Sequence, residues 1–229
     1  MTQTPPVRRR PPRAHAKGEN TRAQILDTAL QMATRTGLSS LSLGAIAEHT
    51  GMSKSGVFAH FGSYDDLLIA VIREYHHRFE QEIFRPALQQ PRGLPRLQAL
   101  FDLWLDRVAR EIDAGCLYIS GAVEFDERPG PVRDALVALV RAWQQALSHA
   151  IALAVHEGHL PASTQPDQLL FELHALVLAA HHKARFLGDA DAMPMARQGF
   201  ARIVQRTLHS GPPDSARTIS PIPMTATGD

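Results

Sequence analysis

The amino-acid sequence predicts an all-α protein of about nine helices, and three observations carry that prediction. Between the two ends of the 229-residue chain, almost every stretch repeats its apolar residues at helical spacing. No stretch alternates with the period of a strand, and no internal repeat stands out. Glycines and prolines mark the breaks between the periodic stretches, at Gly37, Gly51, Gly62, Pro86, Pro91, Pro95, Glu127–Pro131 and Gly158–Pro166.

Taken in order, Asn20 or Thr21 can cap a first helix running to about Thr36, with Ile25, Leu26, Ala29, Leu30 and Ala33 inward and Gly37 as its stop. A helix from about Leu43 to Thr50 buries Leu43, Ile46 and Ala47. Gly51 suits the left-handed residue needed where that helix ends. Ser53 can cap a short third helix whose spacing turns Val57, Phe58 and Phe61 inward. Ser63 can cap a fourth helix to about Arg85, with Asp65 and Asp66 in its first turn complementing the helix dipole. Amphipathic helices then follow at about 94–113, 115–125, 132–158, 167–187 and 192–208.

The stretch LGAIAEHTGMSKSGVFAHF (Leu43–Phe61) has the layout of a helix-turn-helix, whose second helix enters the DNA major groove. Its remaining faces carry Lys54, Ser55, Ala59 and His60, short or basic groups able to approach base edges and phosphates. Double-stranded DNA is therefore the expected partner. Net charge is only +1, but its distribution is polar: residues 1–85 hold 11 Lys+Arg against 8 Asp+Glu, and residues 86–229 hold 13 against 15. The excess lies in residues 1–18, where Arg8, Arg9, Arg10, Arg13 and Lys17 accompany four prolines. That arm is expected to be disordered, as either an extra DNA contact or a solvated tail. Residues 210–229, rich in Pro, Ser and Thr, are expected to be a disordered tail.

Composition bounds the alternatives. An apolar content of 44% can supply a sizeable core, yet no run approaches the ~20 residues of a membrane span. The basic start leads into no apolar stretch, so a secretory signal is not expected, and the expectation is a cytoplasmic protein that engages no membrane. The single cysteine, Cys116, excludes an internal disulfide and any multi-cysteine zinc site. No nucleophile elbow, phosphate loop, zinc-protease motif or dinucleotide fingerprint is present, so no enzyme and no cofactor are expected.

The run TRAQILDTALQMATRTGLSSLSLGAIAEHTGMSKSGVFAHFGSYDDLL, Thr21 to Leu68, resembles the TetR family of bacterial transcriptional regulators, because several independent elements fall in order at the family's spacing. Beyond it the chain resembles the family in helix count and lengths, and GCLYISGAVEFDERPGPVRDAL is similar to a stretch in one branch of its ligand-binding domains. The resemblance implies a helix-turn-helix domain over 19–63 and a connecting helix plus ligand-binding and dimerisation domain over 64–209. It also implies a homodimer joined through the last two long helices, and a repressor released from a pseudo-palindromic operator by a small hydrophobic or amphipathic effector. The DNA-facing positions it implies are Ser42, Ser53, Lys54, Ser55, Val57, Phe58, His60 and Tyr64. Phe58 stands where the family most often has a phosphate-bonding Tyr, and Tyr64 where a Lys is common.

For the effector site the sequence offers Trp104, Tyr118, Phe125 and His174, on different C-terminal helices whose faces are rich in Leu, Val and Ala. Twelve histidines raise the alternative of a metal-responsive regulator. His174 and His181, with His182 beside them, and His149 and His156 are spaced by seven residues, about 10.5 Å along a helix axis, too far for one metal to join a pair. Pocket or dimer-seam lining is the preferred reading of these histidines; a ligand-binding protein that no longer regulates is the other alternative.

Overall fold

A computed structural model describes residues 13–209. Among them are nine α-helices: α1 (Arg13–Thr36), α2 (Leu43–Thr50), α3 (Lys54–Ala59), α4 (Tyr64–Phe79), α5 (Leu94–Arg110), α6 (Leu117–Phe125), α7 (Pro131–His156), α8 (Pro166–Phe186) and α9 (Ala192–His209). No strand occurs among the described residues. Each start and stop has a local cause. Ser42, Ser53 and Ser63 cap α2, α3 and α4 by accepting the amide hydrogens of Ala45, Gly56 and Asp66. Gly51 ends α2 at φ 66°, where a side chain would be strained. Prolines in their first turns start α5, α7 and α8, where a missing N–H costs nothing.

Two boundaries differ from expectation. α1 begins at Arg13, so residues 13–18 of the expected disordered arm are helical; residues 1–12 and the 210–229 tail lie outside the described residues. The local reason is that Pro11 and Pro12 immediately precede a run of Ala, Lys and Arg, good helix formers behind a ring that can only open a helix. At its other end α4 does not run on as a plain α-helix. It continues through a π-helical turn, Glu80–Phe84, into a last α-turn, Arg85–Ala87. Within it the Arg85 N–H donates to the Glu80 carbonyl, five residues back. Pro86 supplies the cause: it cannot donate to the Glu82 carbonyl, and its ring crowds that carbonyl, so the widened turn relieves the clash.

α1, α2 and α3 close around Ile25, Ala29, Leu38, Ile46 and Val57, with Leu67 and Leu68 of α4 completing that core. α4 also packs on α7, so it belongs to both halves of the molecule. An Arg78–Asp27 ion pair (2.9 Å) fixes it to α1. In the C-terminal half, α5, α7, α8 and α9 form a bundle and α6 lies across α7. No helix among the described residues is long and apolar enough to cross a membrane.

Candidate DNA-reading surface and effector cavity

The outward face of α3 carries Lys54, Ser55, Phe58 and Ala59, all exposed and spaced as one helical face requires. Ser53 spends its hydroxyl on the Gly56 amide (3.1 Å) and lies 3.1 Å from the Ser55 hydroxyl. The Lys54 stem crosses α2 over Gly44, where a Cβ would come within 3.0 Å of its Cε, so the small residue on one helix shapes the cation on the next. Gly56 has a local task as well: a Cβ there would press on the Ser53 cap at 3.2 Å. His60 caps the C-terminal end of α3, half-buried, and Ser42 stands exposed at the N-terminus of α2.

Three expectations for this surface are corrected. Val57 has no exposed surface, so it belongs to the core and cannot touch DNA. Phe58, which spacing alone turned inward, is 45% exposed on the outer face. Tyr64 donates its single hydroxyl hydrogen to the Leu41 carbonyl, so it anchors the loop before α2 and has no hydrogen left for a phosphate.

In the C-terminal half a cavity of about 290 Å³ opens between α6 and α7. Tyr118 and Phe125 line it, with Leu136, Val137 and Val140. Trp104 and His174 do not line it, and this corrects their expected role. Both belong to the packed wall behind. Trp104 stacks edge-on against Trp143 (5.5 Å) and tilted against His174 (5.4 Å), and Trp143 stands edge-on to Phe79 of α4 (4.7 Å). His174 reaches the cavity only through Gln144, whose amide donates to its Nδ1 at 3.0 Å. Burial holds His174 below the usual imidazole range, so it stays neutral. The polar lining the sequence reading missed is Arg133, Arg141, Asp126 and Gln144. Positions 133, 137, 140, 141 and 144 share one face of α7, and two arginines interrupting an apolar stripe were the available signal.

Two contacts run from α6 to the DNA-binding half. The Tyr118 hydroxyl, which burial pushes far up, is hydrogen-bonded to Nδ1 of His76 on α4. The other ring nitrogen of His76, Nε2, lies 3.3 Å from the Glu80 carboxylate. On its opposite face α6 presents Glu124, which accepts the backbone amides of Leu38 (3.2 Å) and Ser39 (2.7 Å) just beyond α1. Gly37 makes room: it sits at φ 94°, and a Cβ there would come within 2.8 Å of a Glu124 oxygen.

The buried chemistry elsewhere is structural. Cys116 lies 3.4 Å from the Tyr75 hydroxyl, and burial raises its thiol above the ordinary range, the reverse of a reactive cysteine. Among the described residues no three His, Cys, Asp or Glu side chains converge to hold a metal. His149 faces a groove with Arg92 and Arg96, while His181 and His182 lie on α8 beside α6.

Two family profiles match the chain: "Bacterial regulatory proteins, tetR family" over residues 25–71 and "Tetracyclin repressor-like, C-terminal domain" over 93–200. The chain belongs to the TetR family. It is a helix-turn-helix, DNA-binding transcriptional regulator. Among its TetR-family relatives is the HTH-type transcriptional regulator TtgR of Pseudomonas putida, 24% identical over 172 residues, which span 72% of this chain and 80% of that one. The fold is similar to that of a TetR transcriptional regulator from Chloroflexus aurantiacus, with a TM-score of 0.76 at 20% identity, covering 84% of this chain and 98% of that one. It is also similar to AibR in complex with isovaleryl coenzyme A and operator DNA, with a TM-score of 0.62 at 21% identity over 82% of this chain and 98% of that one.

Proposed function

We propose that this TetR-family regulator is a homodimeric repressor whose effector occupies the α6–α7 cavity and releases the operator by moving α6. The observation that carries the proposal is the double attachment of α6. One face forms the cavity wall with Tyr118 and Phe125, while Glu124 grips the loop that leads into the helix-turn-helix. Occupancy of the cavity cannot displace α6 without loading both Glu124 and the Tyr118–His76 bond. The bound ligand then favours the dimer shape in which the two reading helices lose the roughly 34 Å spacing of successive major grooves. Support for the dimer comes from α8 and α9, which expose Phe171 (70%), Leu178 (43%), Phe186 (77%) and Met195 (51%), apolar side chains that a partner helix pair would cover.

DNA binding is tested by fluorescence anisotropy on the DNA upstream of the gene, with scrambled competitor and a salt series. Lys54→Ala is expected to weaken binding on all sequences and reduce the salt slope by about one. Phe58→Tyr is expected to tighten binding by about fivefold, one added hydrogen bond, because the ring already stands on the outer face. An unchanged slope in the first variant removes Lys54 from the phosphate contacts.

The link through Glu124 has its own test, which needs no effector. Gly121→Leu places a side chain between α6 and α7, where even a Cβ meets Leu136 at 3.2 Å. It is expected to lower operator affinity by about tenfold, within the usual range of coupling between sites. In a Glu124→Ala background the same substitution is expected to cost no more than about twofold. Equal losses in both backgrounds would exclude Glu124 as the link.

A further inference from the structure

We propose that the α6–α7 cavity takes a small amphipathic carboxylate whose anionic group is held by Arg133 and Arg141. This deepens the effector reading above and rests on it. The two arginines stand eight residues apart on α7, about 12 Å along its axis, and both line the cavity. Arg133 commits only its Nε, to the Asp126 carbonyl at 3.2 Å. Among the described residues Arg141 makes no hydrogen bond or ion pair. Asp126 is the one acid in the lining, and it already accepts the Glu127 amide at 2.8 Å.

The other polar groups in the lining are partly committed. Tyr118 is hydrogen-bonded to His76, and one N–H of the Gln144 amide donates to His174. The uncommitted charged donors are guanidinium N–H groups, whose planar fork matches a carboxylate. An anion gains a charge-assisted partner there that a neutral ligand does not, and a cation would be repelled. The remaining wall, Phe125, Leu136, Val137 and Val140, asks for a hydrocarbon body. The volume of about 290 Å³ is at the lower end of organic-ligand sites, so that body is one ring system or a short chain.

Calorimetry on the full-length protein at neutral pH tests this with phenylbutyrate, octanoate and indoleacetate, each compared with its own primary amide. At least one acid is expected to bind about tenfold more tightly than its amide, the worth of one charge-assisted hydrogen bond at a partly open site. In the Arg133→Gln/Arg141→Gln double variant that preference disappears while the amide's affinity stays unchanged. Amides that bind as well as acids, or a preference that survives in the double variant, overturn the carboxylate assignment but leave the cavity as a binding site. Absence of binding by every acid and amide overturns the assignment and the effector reading together. Operator anisotropy with the bound acid separates the two: tight, arginine-dependent binding that leaves the operator complex intact keeps the ligand class and sinks the effector role.

Discussion

Arg107→Met is expected to lower the unfolding free energy by about 3–5 kcal/mol at neutral pH, the usual penalty for removing one partner of a buried ion pair. Arg107 is 5% exposed. It meets Glu111 at 2.8 Å and Glu82 at 3.2 Å, and its guanidinium lies over the rings of Tyr75 (4.7 Å) and Phe79 (5.4 Å). Tyr75 in turn donates to the second oxygen of Glu111 at 2.8 Å. Burial already raises the Glu111 carboxyl above its ordinary range, with Arg107 the main opposing influence. Without the arginine the folded-state pKa climbs further above the unfolded one. The folded state then binds a proton more readily than the unfolded state, so the deficit is full above the raised pKa. It shrinks as pH falls through that value toward the ordinary carboxylate range near ~4.3. Urea unfolding of wild type and variant between neutral and mildly acidic pH should show the gap closing. Adding Glu111→Gln should recover much of it at neutral pH. A gap that does not change with pH would mean that some group other than Glu111 is left uncompensated.

Val57→Asp is expected to abolish operator binding by unfolding the reading helix while sparing the C-terminal bundle. A carboxylate placed at this fully buried position, in a core of three short helices, must be protonated or hydrated, at a cost of several kcal/mol. α3 has only six residues and cannot persist without its packing. Phe58→Asp, one residue on, is the control. It stands on the exposed face, so it should keep the domain folded and weaken DNA binding through charge repulsion alone. Circular dichroism and anisotropy on the two variants separate the cases. Equal helix loss in both would contradict the assignment of faces on α3.

That pair also shows how far sequence reasoning reaches here. The caps of Ser42, Ser53 and Ser63 and the stop at Gly51 are local chemistry, so the helix-turn-helix and its boundaries were legible. The face of α3 was not, because a helix of a turn and a half gives periodicity too few residues to separate Val57 from Phe58. The π-turn at Glu80–Phe84 was also hidden, although Pro86 was in view, since only the burial of Phe79 and Ile83 decides how the chain yields. Tyr118, Phe125, Trp104 and His174 looked alike in sequence: periodicity says which side chains turn inward, but not whether they meet a neighbour or a void. Arg133 and Arg141 broke an apolar stripe in the sequence, but what they face is set by the docking of α6 on α7, which places both in the lining of one cavity.

The Glu124 contact has a consequence for how such a protein can change. The carboxylate holds the amides of Leu38 and Ser39, groups that every residue except proline possesses. The joint is therefore blind to the side chains on the DNA-binding side. Position 39, which is exposed, can drift as the reading head adapts to new operators, and position 38 answers only to the core it fills, while the grip from the ligand-binding side persists. Of the three, Gly37 is the one the joint itself constrains, by its backbone angle and by the Glu124 oxygen 2.8 Å from where its Cβ would be. One side of the molecule can thus acquire a new operator, and the other a new effector, without renegotiating the connection between them.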